Sequence, residues 1–372
     1  MRTRSLLLAL IMLFLVSITA WGVPVEPGRR TFTQPNGVTF TGQSWGDEFA
    51  AQSETVDGYR FMMGTGNYYY YVVLNQSGDY KPSIYRVGID PPLTASYKQE
   101  RSASCTRELQ QRRDDFEKSM REGRARQGRV TDTVDSLGVI LVEFRDVTHD
   151  TSYLHSNFDS LFFSNDWYYS PAQFSPDSEE VFGSVRDYWQ DVSHGEFDIV
   201  GRVVNPTLAN GTPEWLRLNI TREEAIQNFT MPNYVSQAID SGWMTEDEFD
   251  NICFIFAGEC GPYQSGLWPH AFYTMWNMSE LWNGAFSHIG VHAHEFGHAA
   301  FNFDDEYTSV TRPKYWSLMD LGTYNGPNGP SGKGECPSPP SLPCIISAGW
   351  SIPLDTLTCD THNLKITFSE TA

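Results

Sequence analysis

Between positions 294 and 298 the chain reads His294-Glu295-Phe296-Gly297-His298. On an α-helix, positions i and i+4 lie about 40° apart around the axis and about 6 Å apart along it, so both imidazoles point to one side. That spacing suits one Zn²⁺ held through two ring nitrogens, with Glu295 beside it as a general base. With nine histidines and 46 acidic residues in 372, chance would supply the pattern roughly 0.03 times per chain. Two unrelated helix histidines are therefore the weaker reading. Gly297 costs about 1 kcal/mol relative to Ala in a helix interior, and close approach of another backbone would justify it.

A hydrolytic zinc site also needs a third protein ligand and an open position for water. One plan takes that ligand from a Glu on a second helix. Glu335 is the distant candidate, but Gly332-Lys333-Gly334-Glu335-Cys336-Pro337 cannot be a helix interior. The other plan turns the chain sharply after the helix, presents the ligand nearby and floors the site with a Met-containing turn. Asn302-Phe303-Asp304-Asp305-Glu306-Tyr307 and Trp316-Ser317-Leu318-Met319 fit that second plan. The other histidines lack such partners. His288 and His292 share the i, i+4 spacing, but His292 lies about 200° around the helix from His294 and faces away. His149, His155, His194 and His362 read as structural, and His270, after Trp268-Pro269, is a secondary candidate for a cleft wall.

A helix of this kind must be held by a sheet. Residues 139–144 form a compact apolar run that fits a buried strand, as do 252–258, and 197–201 form a further strand. Residues 181–192 have helical spacing that stops at Ser193-His194-Gly195, and the helix carrying the histidines is expected over 287–301. Gly- and Pro-rich loops run from Thr323 to Pro343, and residues 364–368 read as a last strand. Upstream, the runs 38–41 and 68–74, separated by turn clusters such as Pro35-Asn36-Gly37, read as a small all-β unit. The Tyr68–Leu74 tract is expected to be a half-buried strand. Between the two units, residues 98–130 are crowded with Arg and Lys. They read as a helical or disordered connector that invites proteolysis.

Residues 1–130 hold 17 basic and 13 acidic groups, whereas 131–372 hold 9 and 33. The whole carries a formal charge of −20, which argues against nucleic acid as a partner. The opposite signs suit an N-terminal segment that docks on an acidic partner domain and is then cut away. No apolar run long enough to span a membrane follows the first twenty residues. Arg2 and Arg4, the apolar stretch from Leu6 to Val16 and Ala20-Trp21-Gly22 read as a signal peptide over 1–22, so secretion is expected. In that compartment the six cysteines are expected to be oxidised. Cys253 with Cys260 and Cys336 with Cys344 are short-range possibilities, leaving Cys105 and Cys359 to pair or Cys105 to remain a thiol. The sequons opened by Asn75, Asn219, Asn228 and Asn277 matter only in a glycosylating host.

The stretch Phe286–Trp350, with HEFGH, Asp-Glu-Tyr, Trp-Ser-Leu-Met and Ala348-Gly349-Trp350, resembles the immune inhibitor A family of secreted metalloproteases, which is metzincin-like. Residues 141–144, 187–197 and 268–270 are similar to that family's catalytic domain, and Trp45-Gly46-Asp47-Glu48 with Asp57-Gly58-Tyr59 to its pro-region. The resemblance implies an α/β (α+β) zinc peptidase domain over 131–372, with a twisted sheet and an active-site helix. A β-rich pro-region over 23–97 and a processing segment over 98–130 would precede it. It implies His294, His298 and an Asp as zinc ligands, Glu295 as base and Met319 as apolar floor. The family's HExxHxxGxxD spacing puts the ligand at Asp304 by strict count, but the glycine position is then Phe301, a poor residue for positive φ. Asn302 accepts that turn better, which shifts the ligand to Asp305, the favoured choice, with Asp304 the alternative. A structural Ca²⁺ is a further ion the resemblance admits. The expected activity is zinc-dependent endopeptidase action on protein or peptide substrates. The rivals are a catalytically inactive binding or adhesion protein on the same fold and a zinc amidase or exopeptidase.

Overall fold

The computed structural model describes residues 28–46, 50–111, 113, 133–165, 175–227, 231–259, 267–282, 284–307, 312–330 and 332–351. The expected signal peptide, the C-terminal strand at 364–368, Cys260, Cys359, His362 and most of the basic connector lie outside them. The chain is α+β, with one antiparallel sheet and a separate curled mixed sheet.

The first sheet is a six-stranded meander of β1 (Gly28–Thr33), β2 (Thr39–Trp45), β3 (Gln52–Thr55), β4 (Arg60–Met63), β5 (Tyr69–Leu74) and β6 (Tyr80–Arg86), paired in sequence order. Local turn chemistry sets that order. Gln34 N–H bonds the Val38 carbonyl at 2.8 Å across Pro35-Asn36-Gly37, where Gly37 takes φ 84°. Phe32, Phe61, Tyr71 and Val87 form its core, with edge-on aromatic contacts such as Phe32–Phe61 at 4.9 Å. In β5 only Tyr71 and Val72 are fully buried, so the tyrosine tract is a half-buried strand. Residues 103–111 are helical.

The second sheet runs β11-β12-β10-β7-β8. Its strands are β7 (Val134–Glu143), β8 (Asp198–Val203), β10 (Asn251–Glu259), β11 (His270–Phe272) and β12 (Met275–Trp282), with short β9 (Leu216–Arg217) on β7 and β13 (Ala285–Phe286) on β12. β8, β7, β10 and β12 are mutually parallel, and β11 is antiparallel at the edge. The apolar runs in β7 and β10 follow from burial on both faces. Leu137, Val139 and Leu141 face one core with Cys253 and Ile255, while Ile140 and Val142 face the other with Phe254 and Phe256. The first core is covered by α1 (His155–Phe163), α2 (Val185–Val192) and α5 (Ile289–Phe301). The second lies under α3 (Arg222–Gln227) and α4 (Met231–Asp240).

Two boundaries differ from the sequence reading. α2 starts at Val185 and not at 181, because Gly183 adopts φ 94° and Ser184 caps the helix, its side chain accepting from Asp187 N–H. The loop-rich region 323–343 is followed by a short helix, α6 (Leu342–Ala348), capped by Ser341.

The cysteine expectation requires a correction. Cys105, Cys253 and Cys344 are free thiols, so Cys336 and Cys344 do not pair. Cys344 is the N3 residue of α6, whose N–H bonds the Ser341 cap. Cys253 is buried in β10, its sulfur 3.9 Å from His292 Nδ1. Cys105 lies in the 103–111 helical segment near Asp79 and Arg101, and burial pushes its thiol pKa up.

The two units meet at an apolar corner. Ala51, just before β3, is buried with Trp268, Met278, Trp282, Val291, Leu321 and Tyr324. The docking expected from opposite charge is therefore, at this contact, a matter of packing.

Candidate metal centre

α5 is buried along nearly its whole length, and its sequence is apolar apart from His292, His294, Glu295 and His298. It ends at Asn302, which adopts the left-handed conformation (φ 55°, ψ 40°) while Phe301 stays helical. Asn302 N–H returns to the His298 carbonyl at 3.0 Å and Phe303 N–H to the Gly297 carbonyl at 3.1 Å. The chain thereby reverses and carries Asp305 back over the helix. Asp305 Oδ1 lies 3.2 Å from His294 Nε2 and 3.2 Å from His298 Nε2, and the two Nε2 atoms are 3.1 Å apart. Asp304 is exposed and is not in this group.

Both imidazoles are oriented by backbone carbonyls. His294 Nδ1 donates to the Leu318 carbonyl at 2.8 Å and His298 Nδ1 to the Phe303 carbonyl at 2.6 Å. With Nδ1–H donated to a carbonyl, a ring in its neutral form turns a bare Nε2 lone pair inward. Burial holds His298 below its ordinary pKa, which keeps it neutral. Two lone pairs and a carboxylate oxygen thus converge within 3.2 Å. Donors on a tetrahedral ion at 2.0–2.1 Å sit roughly 3.3 Å apart. The donor chemistry and its spacing fit Zn²⁺.

Met319 is fully buried beneath the helix, its sulfur 3.1 Å from the point where a Cβ on Gly297 would sit. Phe303 and Trp189 complete that contact at 3.3 and 3.6 Å. Gly297 is thus approached by side chains, and the backbone approach expected there occurs two turns earlier. A Cβ on Gly290 would lie 2.0 Å from the Thr323 carbonyl oxygen. The Trp316–Met319 segment is tied to the loop that carries Asp305 as well. Glu306 N–H bonds the Met319 carbonyl at 2.9 Å, and Ser317 Oγ donates to the Glu306 carboxylate.

Glu295 follows His294 on α5 and is fully buried. Its charge reaches Cys253 behind the helix, where it adds to burial in raising that thiol's pKa. His292 also faces the Cys253 side, 3.3 Å from Ser287 Oγ, and burial drives its pKa down to about 3. His270 is buried at the start of β11, Nδ1 donating to the Trp268 carbonyl at 2.6 Å, with its pKa driven to about 4 by burial. It serves the sheet edge as a neutral residue. His149 stacks on Trp215 and bonds Glu143, and His155 bonds the Asn205 carbonyl. Asn277 is fully buried in β12, so its sequon is closed in the folded chain, whereas Asn75 and Asn219 are exposed.

Sequence reasoning missed the groups that orient the rings. Leu318 and Phe303 act through carbonyl oxygens, which every residue has, so no side-chain pattern marks them. Glu306 and Ser317 were legible only as part of motifs quoted for another purpose. No protein family and no curated protein sequence matches the chain.

Proposed function

We propose that the chain is a secreted zinc-dependent endopeptidase of metzincin-like type, related to the immune inhibitor A proteases, whose N-terminal β unit is a pro-region. The observation that carries this reading is the convergence of His294, His298 and Asp305 on one point, with Glu295 on the same helix. The left-handed turn at Asn302 and Met319 under the helix support it.

His294, His298 and Asp305 would hold the ion. Zinc, when bound, supplies Lewis-acid polarisation of a carbonyl and lowers the pKa of a water towards about 7. The chain's own work lies around it. The Leu318 and Phe303 carbonyls fix the ring tautomers, so neither imidazole competes for the proton in play. Glu295 takes a proton from the attacking water and returns it to the leaving amine. Its burial shields that exchange from bulk solvent. The buried Met319 presents no titratable group beneath the rings.

Cleavage of unfolded casein by the purified full chain after removal of residues 1–130, with and without a chelator, tests the reading. Chelator-sensitive cleavage is expected. Zinc binding without hydrolysis of casein or of short peptides would leave the inactive binding protein. Hydrolysis confined to short peptides or amides would favour the amidase or exopeptidase.

A further inference from the structure

A second cluster of metal-binding side chains lies at the opposite end of α5. His288, the N-cap residue, is buried, and its Nε2 is 2.7 Å from Glu179 Oε2. Glu335 joins them, and one donor atom from each of the three lies within 4.8 Å of the others. They come from three segments far apart in sequence: a turn closed by Ser175 N–H to the Glu179 carbonyl, the entry to α5, and the glycine-rich loop after Tyr324.

The glycine-rich loop is shaped around the Glu335 carboxylate. A Cβ on Gly326 would come within 2.9 Å of Glu335 Oε2, and one on Gly332 within 2.5 Å. Lys333 N–H donates to the same oxygen. The loop is pinned to the helix by Gly290 N–H on the Gly334 carbonyl at 2.9 Å. A cavity of about 260 Å³ opens onto His288 and Glu335 from the side of α1, which gives an ion a path in.

Lys333 serves both carboxylates, its ammonium on Glu179 Oε1 and its backbone N–H on Glu335. The positive end of the helix dipole opposes a cation, and the two carboxylates answer it. One imidazole nitrogen with two carboxylate oxygens is a donor set for a divalent transition metal. Calcium takes six to eight oxygens and has little use for imidazole.

We propose that Glu179, His288 and Glu335 form a second divalent transition-metal site, which clips the entry of the histidine-bearing helix to two loops, with Lys333 as the resident competitor. The assignment does not depend on catalysis, because its readouts are metal content and stability. The test uses the full chain, stripped with chelator, reloaded with Zn²⁺ and dialysed before elemental analysis. Two zinc equivalents are expected in the wild type. Glu335→Gln and His288→Gln should each fall to one, and His298→Ala should lose the other equivalent only. Lys333→Met is the discriminating variant. If the cluster is a metal site, removing the ammonium tightens zinc binding, and zinc raises the melting temperature more than in the wild type. If it is only an ion-pair network, Lys333→Met lowers the melting temperature and zinc does not restore it. One equivalent in the wild type, two equivalents untouched by both Glu335→Gln and His288→Gln, or occupancy by Ca²⁺ but not Zn²⁺ would each overturn the proposal.

Discussion

Gly290→Ala probes how closely the helix is held to the loop behind it. The new Cβ would lie 2.0 Å from the Thr323 carbonyl oxygen and 2.8 Å from Gly334 Cα, both backbone atoms with no rotamer to yield. Reaching ordinary contact at 3.4 Å requires the helix or the loop to move by more than 1 Å. That motion costs about 1–3 kcal/mol as overpacking. It also strains the 2.9 Å bond from Gly290 N–H to the Gly334 carbonyl, worth about 0.5–1.5 kcal/mol. Gly290 is the second residue of the helix, so the gain in helix propensity is small. The expected loss is about 2–4 kcal/mol. Gly297→Ala is the control. There the Cβ meets the Met319 sulfur at 3.1 Å and Phe303 at 3.3 Å, both side chains that can give. About 1 kcal/mol of propensity is recovered, so the net change should stay within about 1 kcal/mol of wild type. Urea unfolding of both variants, reading the midpoint at unchanged slope, is the assay. If Gly290→Ala unfolds at the wild-type midpoint, or if Gly297→Ala is the more damaging, the packing argument fails.

Other expectations are more direct. Asp305→Ala should lower the zinc retained at the helix site far more than Asp304→Ala, since only the former removes a donor 3.2 Å from both Nε2 atoms; elemental analysis showing the reverse order would restore the strict spacing. Glu295→Gln should keep its metal and lose about 10²–10⁴-fold in hydrolysis, and wild-type turnover in a metal-replete variant would discard the general base. Ala51→Asp puts a carboxylate into the apolar corner formed by Trp268, Met278 and Val291; if the β unit is a pro-region, casein cleavage by the full chain should rise, and unchanged cleavage would argue for a permanent accessory unit. Glu280, fully buried, has its pKa raised from 4.5 to about 7, chiefly by burial, against N–H bonds from Gly258 and the Asp150 backbone. A folded-state pKa above the unfolded one contributes stability that is complete below pH 4.5 and lost as pH rises through about 7, on the order of 3 kcal/mol. Glu280→Gln should remove that pH dependence, so parallel stability profiles of the two proteins from pH 4.5 to 8 would refute the assignment.

What could be read from the residues was the part written in side chains and periodicity. The runs in β7 and β10 are apolar because both faces are covered, and a continuous run carries that message. The spacing of His294 and His298 carries its own geometry. The left-handed turn was legible because Asn302 stands where Phe301 would be strained, and the structure puts φ 55° at Asn302. The start of α2 was misplaced because Val181 continues the apolar spacing, while the break at Gly183 is a matter of backbone conformation. Cys336 and Cys344 looked like a pair because they are close in sequence, yet the demand to cap α6 sets where Cys344 lies. Glu335 was weighed only as a ligand for the HExxH site, since nothing local reveals that Glu179, 156 residues earlier, lies beside it.

The carbonyls that orient the two imidazoles both come from chain that follows the helix, Phe303 just beyond it and Leu318 further on. A growing polypeptide therefore presents the complete HExxH signature before anything exists to fix its tautomers. Asp305 arrives in the same late stretch. Assembly of the donor set is deferred until the C-terminal side of the turn has been made and packed, so a stalled or half-folded chain has the motif without its third donor or its ring-orienting carbonyls. On the protease reading proposed above, that ordering is a safeguard written into the direction of synthesis.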